Sequence, residues 1–181
     1  MTNKKDINRQ DVQIGLAKPE ERPGIWELYQ RTYLDTYVDE KAGITRKQLV
    51  SFLATDQSWF PKNWQKDLTT PSKKRIVYVA RHEGKIIGMI APVFVDGKHR
   101  ITALYVAPEV QHTGIGTRLM EAALAHHGNV DVYIGIGAHV YEETHLFYEP
   151  FGFKAINPSR RKTYPPDPMS YIEMTRPAPT R

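Results

Sequence analysis

Between Arg75 and Val106 three β-patterned runs are separated by two-residue turns, and no other stretch constrains the fold as much. The runs are Ile76 to Ala80, Ile86 to Val95 and Ile101 to Val106, with Glu83-Gly84 and Asp96-Gly97 as the connections. Glycine takes positive φ without steric cost, so both connections favour tight hairpins and the runs read as an antiparallel meander. Pro108 closes the third run. Gly114 to His127 then carries Ile115, Leu119, Ala122 and Ala123 on one helical face, and Gly128 is placed to stop that helix.

The remaining elements build on this meander. Asp131 to Ile136 reads as a strand too apolar for an edge, Glu142 to Glu149 as a short helix and Phe153 to Ile156 as a strand. A proline-rich loop, Asn157 to Pro168, leads to a last strand from Met169 to Met174. Upstream, Val12 to Ala17 is a first strand. Ile25, Leu28, Tyr29, Thr32 and Tyr33 keep helical spacing in a helix from Pro23 to about Tyr37. Thr45 followed by Gln48 is a capping-box pattern opening a second helix that ends near Ala54. Asp56 to Ser72, with Trp59, Phe60 and Trp64 in no clear period, reads as a loop. The expected fold class is α/β, a mixed, mostly antiparallel central sheet flanked by helices. At 181 residues the chain is expected to be one domain, 1–181, with flexible tails at 1–11 and 176–181.

Composition narrows the chemistry. There is no cysteine, which excludes disulfides, thiolate metal sites and a cysteine nucleophile. No signal peptide and no apolar run near the ~18 residues of a membrane helix is visible, so the expected location is cytoplasmic, without a membrane partner. The formal charge of +5 favours anionic partners without choosing among them.

The stretch from Leu104-Tyr105-Val106 to Gln111-His112-Thr113-Gly114-Ile115-Gly116-Thr117 is where chemistry concentrates. A strand runs into a glycine-containing loop that opens a helix, so unpaired backbone N–H groups are expected at the helix N-terminus, where an anion binds. Gly114 and Gly116 would let it approach, and His112, Thr113 and Thr117 could donate hydrogen bonds. An ordinary strand-to-helix turn would show the same pattern.

Gln111 to Gly116 resembles the pyrophosphate-binding pattern of the GNAT superfamily of acetyl-coenzyme A-dependent N-acetyltransferases: a Gln or Arg, two variable positions, then Gly-x-Gly. Leu146-Phe147-Tyr148-Glu149-Pro150-Phe151-Gly152-Phe153 is similar to that family's "FYEKxGF" segment, in the right order and separation. The resemblance covers roughly Arg75 to Met174. It implies a GNAT-like fold and acetyl-CoA as cosubstrate. Backbone groups of Leu104, Tyr105 and Val106 would pair with the pantetheine arm, and Gln111, His112, Thr113, Gly114, Ile115, Gly116 and Thr117 would hold the pyrophosphate. It makes Tyr148 the catalytic acid. A thiol has a pKa of about 8.5 and a tyrosine about 10, so a phenol can hand its proton to a departing thiolate. The family's Asn and Ala, seven and four residues before that tyrosine, are here Tyr141 and Thr144.

The implied reaction is transfer of the acetyl group to a primary amine of a small molecule or peptide, by direct attack in a ternary complex. Asp35, Glu40 and Glu142 are candidate bases, though an ordinary surface carboxylate is the plainer reading of each. Tyr29, Tyr33 and Tyr37, with Trp26 beside them, form a period-four stripe for which core packing is the plainer reading and an acceptor pocket the functional one. Homodimers are common among families of this kind. Two alternatives stand beside this reading. One is a GNAT-like domain that binds acyl-CoA without catalysis. The other is a basic nucleic-acid-binding module, disfavoured because Lys73-Lys74-Arg75 and Arg160-Arg161-Lys162 are short and carry no aromatic repeat. Gly135-Ile136-Gly137 does not make a dinucleotide motif, since Val140 stands where its last glycine belongs. The seven histidines show no metal-ligand spacing, so no metal is expected.

Overall fold

The computed structural model describes residues 9–54, 76–165 and 167–179. Along them run β1 (Gln13–Leu16), α1 (Arg22–Tyr37), α2 (Arg46–Ala54), β2 (Tyr78–His82), β3 (Lys85–Val95), β4 (Lys98–Val106), α3 (Ile115–His127), β5 (Val132–Gly137), α4 (Tyr141–Tyr148), β6 (Lys154–Ala155), β7 (Lys162–Thr163) and β8 (Ser170–Arg176). The Asp56 to Ser72 segment with its tryptophans, and Lys73-Lys74-Arg75, lie outside the described residues.

The sheet has the order β1-β2-β3-β4-β5-β8-β6, with β7 also on β8. All pairs are antiparallel except β4 with β5. This is the mixed, mostly antiparallel sheet that the sequence predicts. Both hairpin turns have two central residues at positive φ, Glu83 (48°) with Gly84 (73°) and Asp96 (52°) with Gly97 (71°). That geometry matches the right-handed twist of the strands it joins. Pro92 sits inside β3 without an N–H to give, and the β3–β4 register shifts between Ile90 and Pro92. A bulge there is what lets an interior strand carry proline.

The capping box forms as read: Gln48 N–H donates to Thr45 Oγ1 at 3.2 Å, and Thr45 N–H donates to Gln48 Oε1 at 2.8 Å. Downstream the structure departs from the sequence reading. The strand expected over Phe153 to Ile156 shortens to Lys154–Ala155: the Phe153 amide turns back to Tyr148 O at 3.4 Å, while its side chain is fully buried in the core. The proline-rich loop contributes β7, too short to leave a periodicity. Arg176, counted with the C-terminal tail, ends β8, and the Ala178 amide beyond it donates to Asp131 Oδ1 at 2.8 Å.

Side-chain alternation along β4 assigns the helices to faces. Tyr105 meets Tyr29 and Tyr33 of α1, with ring centroids 5.2 and 6.5 Å apart. On the opposite face, Gly88 lies beside Val106 in the ladder, and a Cβ at Gly88 would come within 3.0 Å of Leu119 and 3.3 Å of Ile115 of α3. That glycine allows α3 to lie close against β3.

His127 closes α3 almost fully buried, 8% exposed. Its Nε2 lies 3.1 Å from the Arg100 carbonyl and its Nδ1 3.1 Å from His99 Nδ1. A carbonyl only accepts, so His127 carries its proton on Nε2, and His99 must donate to the bare Nδ1. Burial, with His99 and His126 adding to it, lowers the His127 pKa from 6.5 to about 4. The unfolded chain therefore binds this proton before the native one does. The stability His127 contributes is complete above pH 6.5 and is lost as pH falls from 6.5 towards 4, about 2 kcal/mol of it between pH 7 and pH 5. Urea unfolding at these two pH values should show that loss, and His127→Gln should remove most of it. An unchanged pH dependence in the variant would show that His127 is not the group responsible.

Candidate active site

The β4–β5 ladder is only three residues long, His99–Ile101 against Val132–Ile134. Beyond it the strands part: β4 continues to Val106 on β3, and β5 continues to Gly137 on β8. The Ala107 amide donates to Ile87 O of β3 at 2.9 Å. By alternation along the strand, Leu104 and Val106 turn their N–H and C=O away from β3, towards the split, and Tyr105 turns its own towards β3. The split thus has an open strand edge in the interior of a sheet. Gln111 Nε2 reaches back to Val106 O at 3.1 Å.

The loop after β4 curls through two left-handed residues, His112 (φ 63°) and Gly114 (φ 86°), before α3 begins. Gly114 gives no side-chain cap. The Arg118 amide is the one that reaches back to Gly114 O, at 3.2 Å, which leaves the amides of Ile115, Gly116 and Thr117 in the uncapped first turn. Positive potential collects at such an end. His112 and Thr117 are exposed beside it, whereas Thr113 spends its hydroxyl on Val110 O at 2.6 Å and Ile115 buries its side chain in the core. Gly116 also has a packing role. A Cβ there would come within 3.3 Å of the Phe147 ring, so the missing side chain is what lets α4 close on α3.

On the α1 face of the split lies a cavity of about 190 Å³ lined by Tyr29, Tyr33, Tyr37, Tyr105, Tyr171 and Asp167, among others. Of the period-four stripe, Tyr29 and Tyr33 are buried as core packing requires and Tyr37 is partly buried, and all three also wall this space. Tyr33 packs against Tyr29 (5.4 Å) and Tyr37 (4.8 Å), and Tyr171 Oη donates to Asp167 Oδ2 at 2.6 Å. Burial raises the Asp167 carboxyl, opposed by the hydrogen bonds from Tyr171 and from the Met169 amide. Asp167 was missed in the sequence because a lone acid in a proline-rich loop carries no pattern. The short β7–β8 pairing returns that loop to the sheet. Asp35, Glu40 and Glu142, the bases suggested by the sequence, are all exposed and do not line the cavity.

Tyr148 is partly buried, its ring edge-on to Phe147 at 5.0 Å and to Phe153 at 6.0 Å. Desolvation, with the Tyr37 phenol as a lesser contributor, pushes its pKa up, so it remains a proton donor throughout the neutral range. Tyr141, where the family has Asn, is buried and stacks on His145 with ring centroids 4.8 Å apart. Among the described residues no group of three or more His, Asp or Glu is placed to hold a metal ion, and no helix is long and apolar enough to cross a membrane.

Residues 73–155 match the family model described as "Acetyltransferase (GNAT) domain". No curated protein matches the chain in sequence. Among solved structures, the PaiA N-acetyltransferase of Thermoplasma acidophilum, in complex with coenzyme A, is 19% identical with a TM-score of 0.70, covering 92% of this chain and 98% of that one. The ribosomal-protein-S18-alanine N-acetyltransferase of Escherichia coli is 17% identical with a TM-score of 0.62, covering 94% and 96%. The yncA protein of Salmonella typhimurium, with acetyl-CoA as its cofactor, is 16% identical with a TM-score of 0.62, covering 94% and 95%. At such identities these likenesses speak for the fold.

Proposed function

We propose, from the match of residues 73–155 to the GNAT acetyltransferase domain model, that the protein moves the acetyl group of acetyl-CoA to a primary amine of a small molecule or peptide, by direct attack in a ternary complex. One observation carries the reading. β4 links three features: Tyr105 lines the tyrosine-walled cavity, Leu104 and Val106 on either side of it present the open strand edge, and the loop after Val106 leads into the uncapped helix N-terminus. Acetyl-CoA supplies an activated thioester. The chain's own residues bind, orient and move protons around it.

Leu104 and Val106 receive the extended pantetheine arm as an added strand, with the Tyr105 backbone held to β3 between them. Gln111 to Thr117 cradle the pyrophosphate, chiefly through the amides of Ile115, Gly116 and Thr117, while Gln111 and Thr113 hold the loop in shape. Tyr148 gives its proton to the leaving sulfur. The acceptor enters the cavity on the α1 face. Two structural neighbours that hold coenzyme A or acetyl-CoA support the choice of cosubstrate.

Calorimetric titration tests the reading, with acetyl-CoA as ligand and ATP and a short single-stranded oligonucleotide as anionic controls. Saturable, one-to-one binding of acetyl-CoA alone is expected. Binding of the oligonucleotide, or of all three equally and only at low salt, would replace the cosubstrate site with non-specific basic charge.

A further inference from the structure

Asp167 stands between two cavities. On one side is the tyrosine-walled space; on the other is a second cavity of about 390 Å³, whose lining Asp167 shares with Ala42, Ile44, His139, Thr163 and Ser170. Ala42, Thr163 and Pro168, which also borders the second space, are exposed, so this outer cavity opens to solvent.

The carboxylate is fixed in that partition. The Met169 amide donates to Oδ1 at 2.9 Å and Tyr171 Oη donates to Oδ2 at 2.6 Å, and each oxygen keeps a second lone pair. Among the described residues no cation is paired with it. Arg100 borders the inner cavity, but it and Lys162 both donate to Glu173, Arg100 to Oε1 at 2.8 Å and Lys162 to Oε2. A carboxylate that is partly desolvated and lacks a cation holds a proton more readily than one in water, and burial does raise the Asp167 carboxyl. Asp96, the other acid of the inner lining, is exposed on the β3–β4 turn. Tyr105 lines the same inner space, and its neighbours present the strand edge proposed for the pantetheine arm.

We infer that Asp167 is the base of the proposed transfer, taking a proton from the acceptor ammonium in the inner cavity and releasing it to solvent through the outer one. The inference rests on the acetyltransferase reading above and adds the residue which that reading lacks. The N–H bond breaks with its electron pair left on nitrogen, and that pair forms the C–N bond to the thioester carbon. The C–S pair departs on sulfur, which takes the Tyr148 proton. The second proton that nitrogen loses as the amide forms replaces the one Tyr148 has given, so one proton per turnover leaves through Asp167.

Two acceptor probes of nearly the same shape isolate this step: n-propylamine, an ammonium ion at pH 7, and O-ethylhydroxylamine, which is already neutral there. Release of coenzyme A from acetyl-CoA is followed with each. Asp167→Asn should lower kcat/KM for propylamine by about 10²-fold or more, the scale of a positioned base, and leave O-ethylhydroxylamine within about threefold of native. The Kd for acetyl-CoA should stay as it is. A packing role would depress both acceptors alike. If the asparagine variant does not fold, Asp167→Glu, which displaces the charge by one methylene, should still lose at least about tenfold with propylamine alone. Equal losses with the two acceptors, or a native rate with propylamine in the variant tested, would overturn the inference. Native protein that binds no acetyl-CoA, or releases no coenzyme A with either amine, would instead overturn the acetyltransferase reading.

Discussion

Glutamate in place of Gly114 should reduce acetyl-CoA affinity by at least 100-fold. Two independent effects act at this position. Gly114 sits at φ 86°, where a residue with a Cβ is strained by about 1 kcal/mol or more. A carboxylate there would also occupy the helix N-terminal field proposed for the pyrophosphate and repel it. Gly114→Asn separates the two, since asparagine tolerates the left-handed region and adds no charge. The asparagine variant should retain most of the binding and the glutamate variant almost none, both measured by calorimetry alongside thermal unfolding. A glutamate variant that is folded and binds with native affinity would show that the anion site is elsewhere.

Tyr148→Phe should lower kcat by about 10²–10⁴-fold, the usual contribution of a positioned proton donor, while the Kd for coenzyme A stays as it is. The phenylalanine ring preserves the contacts with Phe147 and Phe153, so a packing role alone predicts little change. The pH profile gives a second readout. A donor must be protonated, and burial raises this phenol above its ordinary value of 10, so the alkaline loss of rate attributable to Tyr148 should begin above pH 10. A kcat within about fivefold of native in the variant would make Tyr148 a core residue and leave the leaving thiolate to solvent.

What the sequence disclosed follows the range of the interactions involved. The Xaa-Gly turns and the Thr45–Gln48 box are local, decided by backbone sterics over two to four residues, and both were readable. The family resemblance was readable for a related reason, since Gln111 to Gly116 and Leu146 to Phe153 each lie within a single turn or helix end. Pairings between distant segments were not. Nothing in Val132–Ile134 reveals that it meets β4 for only three residues, and β7 has two residues, too few for any period. Asp167 became visible as a candidate only once β8 set it beside Tyr171 and the α1 tyrosines. Gly116 shows how one residue type can conceal two causes. Read as room for an anion, it is also the clearance between two helices.

The short β4–β5 ladder has a thermodynamic consequence as well. The sheet's two halves, β1 to β4 and β5 to β8, share only three paired residues, so the free protein is a sheet with an unfinished seam. An occupant that pairs with Leu104 and Val106 would complete the seam as well as fill a site. Because such an occupant binds only the folded chain, its concentration sets part of the fold's own stability, by RT ln(1 + [L]/Kd). In a cell the cosubstrate pool would then act as a reservoir of cohesion for this molecule, and the folded fraction would follow the supply of cosubstrate even in the absence of an acceptor.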